Sequence, residues 1–253
     1  MHLLVYGPGR LGTAIAGAAA AAGWPDPTVV GRAGDAVRRP APSADVVVDA
    51  SRGDAVVDNL AHALASGNRR FVLAATGWDG DTSRVRERLR DADAAAVVAP
   101  NLSLGAALFL RLAEAAAAWY AAAGAFEPSI VEWHRSGKAD RPSGTARALA
   151  RRIVAADPRW SGAEKPDGGQ DARPRLEVAA VRAGAAPGTH LVTFDGPGES
   201  VELRLTARDR TAYADGALAA ARWLASEPRD PGLHPFDDVV EDLLAATPTP
   251  VPA

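Results

Sequence analysis

The sequence predicts an α/β protein whose N-terminal part is a doubly wound parallel sheet. Strand-like apolar runs alternate with helix-like segments over roughly the first 100 residues, which is the pattern of successive βαβ units. The run from Asp45 to Asp49 is apolar throughout its interior, as is typical of strands buried on both faces in parallel sheets. A glycine-rich turn at residues 7–12 separates the first predicted strand from the first predicted helix.

Local patterns predict the elements of this first part in order. Short apolar runs bounded by Gly, Pro or acidic residues predict strands at residues 3–6, 28–30, 45–49, 71–75 and 95–99. An Ala-rich segment ending near residue 22 predicts the first helix. Apolar residues at helical spacing predict two more helices, at residues 56–66 and 82–91.

The character of the chain changes after Pro100 and Asn101, where a second, α+β domain with a mixed open sheet is expected. Helices are predicted at residues 105–122, 145–156, 212–225 and 236–246, and strands at 129–133, 176–182, 190–194 and 200–207. Residues 157–175 are rich in Gly, Pro and charge, so we expect a mobile loop there. The predicted domains are 1–102 with 211–246, and 103–210, followed by a disordered tail at 247–253.

Composition excludes several classes of function. A net charge of -3 gives no electrostatic footprint for nucleic acid or an anionic membrane. The chain has no Cys and its five His are scattered, so we expect neither disulfides nor a metal site. The N-terminus lacks the basic leader of a signal peptide, and the Ala-rich run 14–22 is too short to cross a bilayer. These features favour a cytoplasmic protein.

The glycine turn has the spacing of a dinucleotide-binding site. Its residues are Gly7, Pro8, Gly9, Arg10, Leu11 and Gly12. Glycines at this spacing allow a tight turn and a close approach of the backbone to a pyrophosphate, which rests on the N–H groups at the helix start. The alternative is a turn that only connects two elements. Beyond the second strand, Arg32 favours a 2′-phosphate and therefore NADPH, although Asp35 could still serve NADH.

A second motif pairs His134 with Lys138. Only two of the 28 basic Lys and Arg residues are Lys, at positions 138 and 165. A lysine can release a proton when its surroundings lower its pKa, whereas an arginine cannot. His134 follows an apolar strand that we place at an edge of its sheet. A histidine there is often structural, but with Lys138 four residues on, the pair favours general acid catalysis beside a hydride donor.

The segment after Lys138 predicts an anion site. Pro142 is followed by Ser143, Gly144 and Thr145 at a predicted helix start, where uncovered backbone N–H groups and hydroxyls could bind a substrate carboxylate. The alternative is an ordinary helix N-cap, to which Ser and Thr are well suited.

Motifs along nearly the whole chain resemble the 4-hydroxy-tetrahydrodipicolinate reductase family. The most specific is the stretch from Lys138 to Ala146, close to the family's Lys-x-Asp-Ala-Pro-Ser-Gly-Thr-Ala. Further matches are residues 9–12, 45–51, 74–77, 99–105, 181–184, 188–190 and 210–217. The resemblance implies a Rossmann-type domain that binds NADPH or NADH, and a second domain that binds substrate and forms a homotetramer.

The resemblance also implies roles for individual residues. His134 would donate or accept a proton, Lys138 would be the second proton donor, and Gly144 and Thr145 would hold a carboxylate of a cyclic imine dicarboxylate. Besides the glycine turn, the cofactor-binding residues would be Ala74, Ala75, Thr76, Ala99, Pro100, Asn101 and Leu102. The implied reaction is reduction of the imine in the diaminopimelate route to lysine.

Several positions depart from the family pattern and leave alternatives open. Arg135 stands where the family has a second His, which contacts substrate, and Leu205 stands where a His is expected. Arg135 could replace that His because it binds carboxylates, but it is bulkier and always charged. The alternatives are an imine reductase or amino-acid dehydrogenase with a different substrate, and a non-catalytic nucleotide-binding homologue.

Overall fold

The computed structural model describes residues 1–31, 39–99, 101–162 and 173–246. The chain divides into two compact units. Unit 1 comprises Met1–Leu104 and Arg210–Ala253, and unit 2 comprises Gly105–Asp209. The predicted cofactor residues Arg32 and Pro100 lie outside the described residues, and so do positions 163–172 of the predicted loop and the tail 247–253.

Unit 1 is built on a six-stranded parallel sheet. Its strands are β1 Leu3–Tyr6, β2 Thr28–Val30, β3 Val46–Asp49, β4 Arg70–Leu73, β5 Ala95–Val98 and β10 Gly232–Pro235. They lie in the order β10-β5-β4-β3-β1-β2, and all neighbours are parallel. The chain therefore moves outward from β1 to β2 and then crosses back to β3 on the other side of β1. The predicted doubly wound sheet is confirmed.

The helices of unit 1 follow the predicted pattern. They are α1 Arg10–Ala21, α2 Val56–Ala65, α3 Thr82–Asp91, α6 Thr211–Ser226 and α7 Phe236–Ala245. The strands β1 and β3 are buried over their whole length, as expected for the centre of a parallel sheet. Strand β10 was not predicted, because the sequence Gly-Leu-His-Pro has neither an apolar run nor an alternation; its pairing with β5 defines it.

Unit 2 contains a four-stranded mixed sheet in the order β7-β6-β8-β9. Its elements are α4 Leu104–Ala123, β6 Glu127–His134, α5 Gly144–Ala156, β7 Glu177–Arg182, β8 Gly188–Asp195 and β9 Ser200–Ala207. The prediction of an edge strand before His134 was wrong. Strand β6 pairs with β7 on one side and β8 on the other, and its alternating burial shows that only one face of the sheet is covered.

One face of this second sheet packs against α4 and α5. Ile130, Val192 and Phe194 from the strands share a core cluster with Phe109 of α4 and Leu149 of α5. By length and composition alone, α4 could cross a membrane. However, one of its faces lies in this core, and the core helices of water-soluble proteins satisfy the same criterion.

Candidate active site

The glycine turn of unit 1 joins β1 to α1 in the geometry of an anion site. Gly7 has φ +102°, a left-handed conformation that favours glycine, and its N–H donates to the carbonyl of Val30 at 2.9 Å. Helix α1 begins at Arg10 with Gly9 as N-cap, and no side chain caps it. Among the residues that the structure describes, no side chain accepts from its first N–H groups, which can therefore bind a phosphate oxygen.

The other predicted cofactor segments follow neighbouring strands of the same sheet. Ala74 and Ala75 follow β4, and their N–H groups donate to the carbonyl of Asp49 at 2.8 and 2.9 Å. Asn101 lies just beyond β5, where its side chain accepts from the N–H of Ser103 at 2.9 Å. Carboxyl ends of parallel strands share one edge, and ligands of such sheets bind where the strand order reverses, here between β1 and β3.

In unit 2, strand alternation and register bring together four polar side chains from three strands. Glu132 and His134 lie on β6, and the register places His190 of β8 opposite Glu132 and Arg182 of β7 beside His134. All four lie on the sheet face that packs against the helices, because Ile130 and Val192, two residues away on their strands, belong to that core.

Glu132 lies at the centre of this cluster and is fully buried. Its Oε1 accepts from the backbone N–H of Ser143 at 2.9 Å and from Arg182 at 2.8 Å. Its Oε2 lies 3.3 Å from Nδ1 of His134 and 3.5 Å from Nε2 of His190. Burial raises the pKa of Glu132, but the hydrogen bonds from Ser143 and Arg182 outweigh burial and hold it below its ordinary value.

Both histidines of the cluster have lowered pKa values. Burial lowers the pKa of His190 to about 4, so this ring is neutral near pH 7. Burial also lowers the pKa of His134, and the positive charges of Lys138 and Arg182 act in the same direction, while Glu132 opposes them. The two rings meet edge to face, with centroids 5.2 Å apart.

Lys138 lies in the loop between β6 and α5, where its backbone N–H donates to the carbonyl of Arg135. Its ammonium group forms an ion pair with Asp140 at 2.7 Å, and about a quarter of its side chain is exposed. Burial raises the pKa of Asp140, but the hydrogen bond and charge of Lys138 outweigh it, so the pKa of that carboxyl is lowered. Lys138 therefore has a carboxylate partner within its own loop.

The start of α5 combines an N-cap with exposed backbone. Ser143 is the N-cap: its hydroxyl accepts from the N–H of Ala146 at 3.2 Å and also contacts Nε2 of His190 at 3.2 Å. The Ser143 side chain is therefore used within the protein. Gly144 is exposed and Thr145 partly exposed, and Arg135 is also exposed. Their exposure leaves these residues accessible to an anion, although the backbone N–H of Gly144 also interacts with the Asp140 carboxylate.

Sequence reasoning gave no role to Glu132, Arg182, His190 or Asp140. A carboxylate within an apolar strand, as in Ile130-Val-Glu132-Trp-His134, was the one local signal, because a buried charge requires partners. Those partners lie up to 58 positions away and only the fold identifies them. Leu205, noted as a departure, lies opposite His190 on β9 and packs partly into the core.

Glu132, His134 and His190 also have the composition of a metal site, with one ligand atom from each within 4.8 Å of the others. The charges around them oppose a cation. Arg182 already pairs with Glu132, and Lys138 adds a second positive charge that acts on His134. We therefore interpret the cluster as a proton-exchange site.

A Rossmann-type sheet with an uncapped glycine turn, together with a unit that carries a cluster of titratable side chains, is typical of nicotinamide-dependent oxidoreductases. Comparisons with known proteins narrow this class. The sequence model described as "Dihydrodipicolinate reductase, N-terminus" matches residues 26–102, and "Dihydrodipicolinate reductase, C-terminus" matches residues 105–240. The chain therefore belongs to the dihydrodipicolinate reductase family, and the resemblance predicted from its motifs is confirmed.

Individual relatives agree with this assignment. A 4-hydroxy-tetrahydrodipicolinate reductase of Cutibacterium acnes is 34% identical over 245 residues, covering 90% of this chain and 94% of the relative. The enzyme of the same name from Thiobacillus denitrificans is 35% identical over 240 residues, covering 91% and 86%. The structure of dipicolinate-bound dihydrodipicolinate reductase from Paenisporosarcina sp. TG-14 has a TM-score of 0.65 at 19% identity, covering 93% of this chain and 97% of that one, which shows a shared fold.

Proposed function

We propose that this protein is an NAD(P)H-dependent 4-hydroxy-tetrahydrodipicolinate reductase that forms tetrahydrodipicolinate in the diaminopimelate route of lysine biosynthesis. Family membership over nearly the whole chain supports this function. The main structural support is the cluster in unit 2. The motif from Lys138 to Ala146 leads into the start of α5, and this helix start lies next to a buried carboxylate that contacts His134.

Unit 1 is proposed as the cofactor domain. The residues fit a dinucleotide, because α1 has no side-chain cap and a Cβ at position 12 would lie only 1.9 Å from the carbonyl oxygen of Gly7. Gly7–Gly12 would hold the pyrophosphate at the start of α1. Ala74, Ala75, Thr76, Ala99, Pro100, Asn101 and Leu102 would line the remainder of the site. The nicotinamide cofactor supplies a hydride when it is bound.

Unit 2 is proposed as the substrate domain, in which Lys138 and His134 handle protons. Lys138, paired with Asp140, is the proton donor. His134 is neutral in the free protein because burial lowers its pKa. A dicarboxylate substrate brings negative charge to this site, which would raise the pKa of His134 and allow it to hold a proton during turnover.

The start of α5 is proposed to bind a carboxylate of the substrate. Gly144 has no side chain to block the approach to the helix start, and Thr145 adds a hydroxyl to the same helix turn. Arg135 would contact a carboxylate from the preceding loop, as a bidentate donor in place of the family's second His. Ser143 would position the helix start as its N-cap, because its hydroxyl and its backbone N–H both have partners within the protein.

NADPH is proposed as the preferred cofactor. The N–H of Gly7 donates to Val30, so the end of β2 lies beside the glycine turn, and Arg32 follows two residues later in the sequence. A guanidinium at this position favours a 2′-phosphate by bidentate, charge-assisted hydrogen bonds. NADH would remain a weaker substrate.

A homotetramer in the cytoplasm is also proposed. The face of the second sheet opposite α4 and α5 has a partly exposed apolar centre, formed by Val131 and Trp133 of β6, Val181 of β7 and Leu191 of β8. A sheet face of this kind is suited to packing against its counterpart in another copy. Light scattering after gel filtration should give about four times the 26.1 kDa chain mass.

The test is a spectrophotometric assay of cofactor oxidation, with substrate generated in situ by the preceding synthase and NADPH and NADH in parallel. Oxidation that depends on the synthase, with kcat/KM on the order of 10⁴ M⁻¹s⁻¹ or more, is the expected result. A folded protein that binds NADPH but shows no turnover would contradict the proposal. It would then point to Arg135 and a different imine or keto-acid substrate.

A further inference from the structure

A buried carboxylate connects the proposed proton site to the proposed anion site. Glu132 accepts from the N–H of Ser143, at the start of α5, through Oε1. Its Oε2 faces Nδ1 of His134 at 3.3 Å. Both Oε2 and Nδ1 are buried, and neither has a hydrogen-bond partner among the residues that the structure describes, although the two atoms lie 3.3 Å apart. An unpaired buried acceptor beside an unpaired ring nitrogen requires an explanation.

A proton on Nδ1 of His134 supplies that explanation. A neutral imidazole carries its hydrogen on one of two nitrogens, and the partner of one nitrogen selects the tautomer. With the hydrogen on Nδ1, a small rotation of the ring would let it donate to Glu132 Oε2, and both buried atoms would then be satisfied. The hydrogen on Nε2 would instead leave a lone pair of Nδ1 facing a carboxylate oxygen, which is repulsive.

The other ring nitrogen then faces the accessible side of the site. A Cβ at position 188 would lie 3.2 Å from Nε2 of His134, so the absence of a side chain at Gly188 leaves room beside this atom. His134 retains 13% side-chain exposure although Nδ1 itself is buried. Nε2 is therefore the nitrogen that a substrate can reach.

We propose that Glu132 is a positioning residue that holds the proton on Nδ1 of His134, so that Nε2 exchanges the proton with substrate. The same carboxylate aligns this ring with the start of α5 through Ser143. The role of Nε2 rests on the proposed reductase function, whereas the tautomer of His134 does not.

His190 does not compete for this role. Its Nε2 lies 3.5 Å from Glu132 Oε2, but it is closer to the Ser143 hydroxyl, at 3.2 Å. Its pKa of about 4 keeps the ring uncharged, so it adds no positive charge beside His134. Arg182 neutralises Glu132 through Oε1 and leaves Oε2 for His134.

The first experiment compares Glu132→Gln, Glu132→Asp and wild type in the coupled assay across pH. The Gln variant keeps the shape but loses the charge, so kcat should fall on the order of 10²-fold while KM for NADPH stays unchanged. Burial, Lys138 and Arg182 lower the pKa of His134, whereas the negative charges of Glu132 and Asp140 raise it. Removing the charge of Glu132 should therefore lower this pKa further, so the part of the pH–rate profile that His134 controls should move to lower pH in the Gln variant.

The Asp variant tests the charge of the carboxylate separately from its distance to His134. It keeps the negative charge, so its pH profile should stay close to that of wild type although its kcat falls. Glu199→Gln, which removes an exposed carboxylate between β8 and β9, is the matched control and should leave both kcat and the pH profile unchanged. Full kcat with an unmoved profile in Glu132→Gln would overturn the proposal.

The second experiment measures which tautomer His134 adopts in the wild-type protein. Histidine labelled with ¹⁵N should show the Nδ1–H tautomer for His134 at neutral pH, with the signal assigned by its loss in His134→Gln. The Nε2–H tautomer would overturn the proposal even if Glu132→Gln failed to fold. If wild type showed no turnover but His134 carried its hydrogen on Nδ1, the reductase function would fail and the role of Glu132 in positioning the ring would stand.

Discussion

Replacing Gly12 by Ala tests whether close packing of α1 on β1 builds the cofactor site. A Cβ at this buried position would lie 1.9 Å from the carbonyl oxygen of Gly7 and 3.4 Å from a methyl carbon of Val5. Real Cβ atoms essentially never approach another heavy atom within 3.0 Å, so the turn and the helix start must separate by about 1 Å. The group in the way is backbone, which no side-chain rotation can relieve.

That displacement acts on the N–H groups that would bind the pyrophosphate. Loss of one charge-assisted hydrogen bond costs about 1.5–3 kcal/mol, so the Kd for NADPH should rise roughly 10- to 100-fold. Strain from overpacking should lower the free energy of unfolding by about 1–3 kcal/mol. Titration calorimetry with NADPH measures the first effect, and thermal unfolding measures the second.

Gly17→Ala in the same helix is the matched control. Gly17 is exposed, and a Cβ there would have no neighbour within 4 Å. Alanine should therefore stabilise the helix by about 0.5–1 kcal/mol without changing NADPH affinity. If Gly12→Ala bound NADPH as tightly as wild type and unfolded at the same temperature, the close-packing argument would be refuted.

Three further substitutions test other parts of the molecule. Lys138→Arg keeps the charge but removes the transferable proton, so kcat should fall about 10²- to 10⁴-fold with unchanged NADPH affinity. Lys165→Arg is the control and should have no effect. If Lys138→Arg kept its full kcat, Lys138 would contribute only its charge and not a proton. Arg32→Asp should lower the NADPH-to-NADH ratio of kcat/KM by about 10-fold or more, and a constant ratio would mean that Arg32 does not touch the 2′-phosphate. The hydrogen bond and charge of Arg159 lower the pKa of Asp157 in the folded protein. The ionised carboxylate therefore stabilises the fold fully above the pKa of about 4 that it has in the unfolded chain, and this stabilisation is lost as the pH falls through its pKa in the folded protein. Asp157→Asn should therefore unfold at a lower temperature at pH 7 but like wild type in strong acid, and equal unfolding temperatures at pH 7 would contradict this.

The parts of the fold that follow from local patterns were predictable from sequence. The strands around the glycine turn and the buried run at 46–48 are continuous apolar segments whose period and bounding residues are local properties. The strand β10 was missed because its four residues gain their conformation from pairing with β5, which lies over 130 positions earlier. The interior position of β6 was also missed, since both neighbours, β7 and β8, follow it in sequence at a distance.

The residues of the candidate site also fall into those that the sequence identified and those that only the fold identified. His134, Lys138 and the start of α5 lie within one short stretch, so residue types and spacing alone pointed to them. Glu132, Arg182 and His190 form one network only because strand register places residues about 50 positions apart on the same face of a sheet. A sequence pattern specifies which side chains alternate, but long-range pairing specifies which of them meet. The sequence by itself therefore determined the family and pointed to the glycine turn and to the stretch that holds His134 and Lys138, whereas only the tertiary structure decided which buried carboxylate faces His134.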